Sequence, residues 1–166
     1  MIEDKVEAAD FDRFVSVGRL DEATTGLLIL TTDGGMVHSL ASPEAKVAKR
    51  YEVTTARRLT DEAVQRLRIG VEIELETNGD IETYITAPAE VAIESDGRLR
   101  LVIIEGKKRQ IRRMVSAVGG EVVALHRRAI GRLDLRDHRL NQGDVLDISD
   151  QDVLAMVGVD VEDKRP

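Results

Sequence analysis

The sequence predicts an α+β fold in which helices flank a mixed, mainly antiparallel sheet. Strands and helices interleave without the regular strand–helix–strand order of a doubly wound sheet. Two alternating runs, Val71 to Glu76 and Ile81 to Thr86, flank Asn78-Gly79, a strong hairpin signal. At 166 residues a single domain with its own core is expected, burying roughly two-thirds of the unfolded chain's surface.

The elements follow in order. Phe14 to Val17 reads as a strand, Gly26 to Thr31 as a second, and Gly35 to Ala41 as a short helix stopped by Ser42-Pro43. Arg50 to Thr55 is the next strand. Thr60 caps a helix that runs to Gly70, with Val64 and Leu67 on its apolar face. After the hairpin come strands at Glu90 to Glu94 and Leu99 to Glu105. Gln110 to Val118 is helical: Ile111, Met114, Val115 and Val118 share one face, and Gly119-Gly120 ends it. Separate strands are expected at Glu121 to Leu125, Ala129 to Leu135 and Val145 to Ile148, then a helix from Asp150 to Val157 with Asp150 near its cap.

The composition excludes several chemistries. Without cysteine there are no disulfides, thiol nucleophiles or cysteine-based zinc sites, and His38, His126 and His138 form no close ligand pattern, so no metal is expected. Phosphate-loop and dinucleotide-binding glycine motifs are lacking. No run approaches the roughly 20 apolar residues of a membrane span, and Met1-Ile2-Glu3-Asp4-Lys5 lacks the order of a secretion signal, so a cytoplasmic protein without a membrane partner is expected.

The net charge of −7 hides an uneven distribution. Residues 1–12 hold five acids and one lysine, and residues 150–166 hold five acids and two bases. Between them the signs balance. From Lys107 to Arg128 there are seven basic residues (Lys107, Lys108, Arg109, Arg112, Arg113, Arg127, Arg128) against Glu121 alone. That is a footprint suited to nucleic acid, although a solvated helix face or internal salt bridges would use the same residues.

The chemistry-bearing candidate is Asp21 in Gly18-Arg19-Leu20-Asp21, followed by Thr24-Thr25-Gly26-Leu27-Leu28. Period-two geometry at the end of an extended run places Arg19 and Asp21 on one face, where the guanidinium favours an ionised carboxylate ready as a nucleophile. A turn aspartate, a helix cap or a buried structural ion pair accounts for the same residues. A glycoside or nucleoside hydrolase would need a second carboxylate, for which only Glu105 and Asp33 offer themselves.

Three blocks taken together identify a resemblance: the Asp21 block, Lys49-Arg50-Tyr51, and Glu105-Gly106-Lys107-Lys108-Arg109-Gln110-Ile111-Arg112-Arg113-Met114. They resemble the signature blocks of the RsuA-type ribosomal RNA pseudouridine synthases, over about Phe14 to Val157, and Val122 to Gly131 resembles the RsuA subgroup in particular. The resemblance implies the pseudouridine synthase catalytic fold and isomerisation of a uridine in ribosomal RNA, on small-subunit RNA, without a cofactor. It implies that Asp21 is the catalytic aspartate at ribose C1′. Tyr51 would pack on the uracil and assist proton removal, and Lys107 would be the basic partner of the aspartate. Ile111 would line the uracil pocket, and Arg19 would hold or replace the flipped nucleotide. Arg109, Arg112, Arg113, Arg127 and Arg128 would contact phosphates. Read without it, Tyr51 suits a core or edge-strand position, Ile111 ordinary core and Lys107 the surface.

Two family features are missing from the expected pattern: a Lys-Pro-x-Gly segment within residues 1–17, and an RNA-binding domain of the S4 type. The expected organisation is a divergent or truncated segment at 1–13, a catalytic domain at 14–158 and an acidic tail at 159–166. The implied partner is ribosomal RNA or a ribosomal subunit precursor, met by a monomer. The competing reading is a non-catalytic RNA-binding or ribosome-assembly module that keeps the fold.

Overall fold

The computed structural model describes residues 12–77 and 79–158. The expected acidic tail, Asn78 of the hairpin turn, and all but the last two residues of the 1–13 segment lie outside them. Its elements are β1 (Val15–Ser16), β2 (Thr24–Gly26), β3 (Leu30–Thr31), α1 (Gly34–Ala41), β4 (Lys49–Thr55), α2 (Asp61–Ile69), β5 (Glu72–Thr77), β6 (Asp80–Ile85), β7 (Glu90–Ile93), β8 (Leu99–Ile103), α3 (Gln110–Ala117), β9 (Val122–Ile130), β10 (Leu133–Asp134) and α4 (Asp150–Val157). The main sheet has the order β10-β9-β4-β8-β7, antiparallel throughout, with β2 added parallel to β9. The α+β class holds.

Local chemistry accounts for the elements. Thr60 caps α2 by accepting from the Ala63 N–H at 3.2 Å, acids occupy its first turn and arginines its last, which suits the helix dipole. Gly70 ends it at φ +98°, with Thr86 O so close that a Cβ would lie 2.3 Å away. Asp33 caps α1 through the Gly35 N–H at 2.8 Å. Ser149, not Asp150, caps α4, accepting from the Asp152 N–H at 3.2 Å.

Three expectations are corrected. The strand expected over Gly26 to Thr31 is two pieces, because β2 joins β9 whereas β3 pairs with β1. Glu121 to Leu125 and Ala129 do not belong to separate strands: β9 runs unbroken through His126-Arg127-Arg128, and only after Gly131 does β10 turn back on it. Val145 to Ile148 forms no ladder; Val145 and Leu146 are exposed, so burial does not hold them in a sheet.

Two cores result. One side of the main sheet packs Val53, Leu99 and Leu101 against Leu67 of α2 and Met114 and Val115 of α3. A second cluster gathers Val17, Ile29, Met36, Leu40, Ile130, Leu133, Val153 and Val157 around α1 and α4. Side chains of the sheet alternate, so the opposite face of β4, β8 and β9 carries Arg50, Glu52, Arg100 and Arg128. Among the described residues no helix is long and apolar enough to cross a membrane.

Candidate active site

A cleft of about 650 Å³ opens along the seam between the two cores, with Val17, Leu40 and Ile130 of one and Tyr51, Ile103, Ile111 and Leu125 of the other in its walls. Its polar lining includes Arg19 and Asp21 before β2, Lys46 and Lys49 just ahead of and at the start of β4, Tyr84 on β6, Glu105, Lys107 and Arg109 between β8 and α3, and Arg127 on β9. Sequence positions more than a hundred residues apart therefore face one space.

The Asp21 segment is held at both ends. Gly18, at φ +72°, turns the chain out of β1, so Arg19 and Asp21 follow a bend, not the extended run expected of them. Their side chains form no ion pair with each other. The Thr24 N–H closes a turn onto Asp21 O at 2.8 Å, and the Leu27 N–H donates to Arg127 O at 2.7 Å. Gly26 lies at φ +108°, and a Cβ there would fall 2.2 Å from Arg127 O, so only glycine permits this approach. Two arginines complete the attachment. Arg127 donates through Nε to Leu27 O at 2.8 Å and through Nη1 to Arg19 O at 3.3 Å; Arg112 donates to Ala23 O at 2.7 Å and Val122 O at 3.1 Å. Asp21 is thus half-buried on a segment whose backbone is fixed by β9 and α3.

Tyr51 and Ile111, both buried, form the apolar wall. Lys107 is exposed, as expected at a strand-to-helix turn, but it does not pair with Asp21: its Nζ sits 4.6 Å from the centre of the Tyr84 ring, a cation–π contact. The Tyr84 hydroxyl donates to Glu105 Oε2 at 2.7 Å, and the hydrogen bond to that carboxylate, then burial, then its charge, push the phenol's pKa up. Glu105 also accepts from the Ala87 N–H at 3.0 Å and from Gln110 Nε2. Three donors occupy it, so it is a structural anchor and not the free second carboxylate of a hydrolase. Asp33 does not line the cleft; it caps α1.

The basic residues separate into groups. Arg19 and Arg109 are exposed on the cleft, Arg109 in the left-handed region at φ +54° before α3. Arg112 spends its guanidinium on carbonyls, and Arg113 is half-buried away from the cleft lining. Arg128, expected among the phosphate contacts, lies on the other face of β9 and outside the cleft lining, 9% exposed, bonded to Asp134 at 3.1 Å and Glu52 at 3.4 Å. An arginine already paired with two carboxylates has little field left for a phosphate. Tyr84, Glu105, Gln110 and Lys49 are cleft residues that the motifs did not single out as site residues. Tyr84 could have been noticed as one of only two tyrosines. Burial and the neighbouring Arg127 charge lower the Lys49 pKa. Among the described residues no cluster of His, Asp and Glu is placed to hold a metal.

The model of the RNA pseudouridylate synthase family matches residues 2–117. The chain belongs to this family. It is 35% identical over 139 residues to the ribosomal small subunit pseudouridine synthase A of Vibrio cholerae, a match covering 84% of this chain and 57% of that one. To the protein of the same name from Escherichia coli K12 it is 34% identical over 142 residues, 86% of this chain and 58% of that one. It thus spans somewhat over half the length of these curated relatives. A crystal structure of a pseudouridylate synthase superposes with a TM-score of 0.79 at 32% identity, covering 95% of this chain and 65% of that one. The family match begins ahead of Phe14, and the cleft blocks Gly18–Asp21, Lys49–Tyr51 and Glu105–Met114 all fall within it.

Proposed function

We propose that this chain isomerises a uridine of ribosomal RNA to pseudouridine, with small-subunit RNA as substrate and Asp21 as nucleophile. The observation that carries the reading is the convergence of Asp21, Tyr51, Lys107, Ile111 and Arg19 on one cleft, from three separate blocks of sequence. Breaking the C1′–N1 bond builds positive charge on the ribose, which a fixed carboxylate stabilises or traps. Asp21 attacks C1′, and the bonding pair leaves with N1 of the uracil. The base turns between Tyr51 and Ile111, C5 bonds to C1′ and the Asp21 carboxylate is released. The C5 proton is then lost, with the Tyr51 hydroxyl assisting, and N1 gains a proton. Atoms and electrons balance without an oxidant or reductant.

A paired, stacked uridine cannot present C1′ and C5, so the nucleotide must be turned out of its helix. Arg19 and Arg109, exposed at the cleft mouth, suit that task and the flanking phosphates. Lys107 lies over Tyr84 and would have to leave that ring to meet Asp21 in the loaded state. The reading places a monomer in the cytoplasm, acting on ribosomal RNA or a subunit precursor. The test is to map pseudouridines in ribosomal RNA from cells lacking this protein, with wild type or Asp21→Ala added back. Loss of one site, restored by wild type alone, supports the proposal; an unchanged map removes ribosomal RNA as substrate. If Asp21→Ala restores the site, Asp21 is not the nucleophile.

A further inference from the structure

Arg127 is the most deeply buried charge in the cleft, 3% exposed, yet no carboxylate meets it. Nε and Nη1 are spent on the carbonyls of Leu27 and Arg19. Nη2 is buried without any partner. A guanidinium nitrogen sealed from water with no acceptor is costly, and such groups in native structures usually await a ligand, an ion or water. Lys49, half-buried in the same cleft, is a second cation without a carboxylate; its ammonium donates only to the Val47 carbonyl, at 3.0 Å. Bringing two like charges together under partial burial is unfavourable unless an anion completes the set.

From this juxtaposition we propose that Lys49 and Arg127 form an anion subsite in the floor of the cleft that takes a phosphate of the nucleotide being isomerised. The inference rests on the pseudouridine synthase reading in one respect only, the identity of the anion. The ribose whose C1′ faces Asp21 carries phosphates through its own 3′ and 5′ oxygens, so a phosphate accompanies the base to the cleft; one lies at the mouth by Arg19 and Arg109 and the other is available to the floor. Because Arg127 also bonds the carbonyls on either side of Asp21, a phosphate on Nη2 links occupancy of the subsite to the placement of the nucleophile. Arg127 is in this sense a positioning residue as well as a ligand.

The test measures binding of 5′-labelled oligouridylate to the full chain over a series of salt concentrations, with Lys49→Gln as the variant and Arg57→Gln, exposed and outside the cleft, as the control. Loss of one phosphate contact lowers the slope of log K against log salt by about 0.7 for a single strand. That drop is expected for Lys49→Gln, with no change for Arg57→Gln. Uridine 5′-monophosphate should also bind wild type more tightly than uridine, and the preference should vanish in Lys49→Gln. Arg127→Lys, which keeps the charge but cannot bond two carbonyls and the phosphate together, should lower kcat more than it raises KM. An unchanged slope in Lys49→Gln, or equal affinity of wild type for uridine and its monophosphate, overturns the subsite. Neither binding result depends on turnover, so an inactive protein that still shows both would retain the subsite and lose the enzyme reading.

Discussion

Arg127 and Arg128 are adjacent in the chain and lie on opposite faces of β9, and they have opposite chemistry. Arg128 belongs to a lattice on the outer face: it bonds Asp134 and Glu52, Asp134 also takes Arg50 and Arg136, and Glu52 also takes Arg98. Arg127 on the cleft face meets carbonyls and leaves one nitrogen unpaired. On one side the protein neutralises its own cations; on the other it leaves them for something else. A count of basic residues is therefore a poor guide to nucleic-acid contact; the residual, uncompensated charge is the informative quantity.

The largest effect should separate chemistry from architecture. Asp21→Asn keeps the shape of a side chain that makes no ion pair and removes the proposed nucleophile. Turnover, read as tritium release from 5-tritiated uridine in ribosomal RNA, should fall by more than about a thousand-fold, roughly 4 kcal/mol of barrier. The melting temperature and the RNA affinity should stay close to wild type. Retained turnover would break the claim that the cleft is where the protein spends charge on catalysis.

Asp134→Asn should do the reverse. It strips the carboxylate shared by three arginines and leaves Arg128 buried with Glu52 as its remaining partner; breaking a buried pair typically costs about 3 kcal/mol. Burial pushes the Asp134 carboxyl up, but the Arg136 N–H and the charges of Arg128 and Arg136 outweigh it and hold the pKa below the usual range. A depressed folded-state pKa stabilises the fold above the unfolded carboxyl's pKa, and that contribution is lost as pH falls through the folded value. Urea denaturation at pH 7 should therefore show the full deficit, and the gap between variant and wild type should close in strong acid. Turnover per folded molecule should be unchanged.

Much of this was legible in the sequence, and the reasons are local. Thr60 and Gly70 bracket α2 by capping chemistry that needs only neighbouring residues, and the hairpin follows from alternation around Asn78-Gly79. The three blocks that line the cleft are contiguous motifs, so their joint presence could be read before their convergence was known. The run of β9 through His126-Arg127-Arg128 was not legible. Arg128 has a near partner in Asp134, six residues on, but Arg127 is buried only because carbonyls 100 and 108 residues away accept from it, and no local pattern encodes that. The Lys107 contact failed to appear for the same reason: Tyr84 arrives from a distant hairpin and offers its ring in place of the Asp21 carboxylate.

Tyr84→Phe is an intermediate case that sharpens the boundary between the two regions. It keeps the ring beneath Lys107 and deletes the hydroxyl on Glu105, which retains the Ala87 and Gln110 donors. A hydrogen bond to a charged acceptor is worth about 1.5–3 kcal/mol, and the two remaining donors point to the lower end. Denaturation should report that loss. RNA affinity should hold, since the cation over the ring is preserved; a loss of affinity equal to the loss of stability would mean that Glu105 is part of the binding surface after all.

Arg98→Ala should have the smallest effect, and it tests the lattice at its edge. Arg98 bonds Asp96 at 2.6 Å and Glu52 at 3.1 Å, yet nearly half of its side chain is exposed. The hydrogen bond to Asp96, then the charges of Asp96 and Glu52, raise its pKa, but a guanidinium is fully charged at any pH where the protein is folded, so that shift has no consequence for stability near neutrality. Exposed pairs are screened by water and salt, and solvent replaces what the substitution removes. The urea midpoint should therefore not move measurably, in low salt or high. Glu52 would keep Arg128, so the buried part of the lattice survives the loss of its rim. A clear destabilisation at low salt that disappears at high salt would show that the outer face acts as one cooperative network, and the neutralised region would then be as tightly coupled as the cleft.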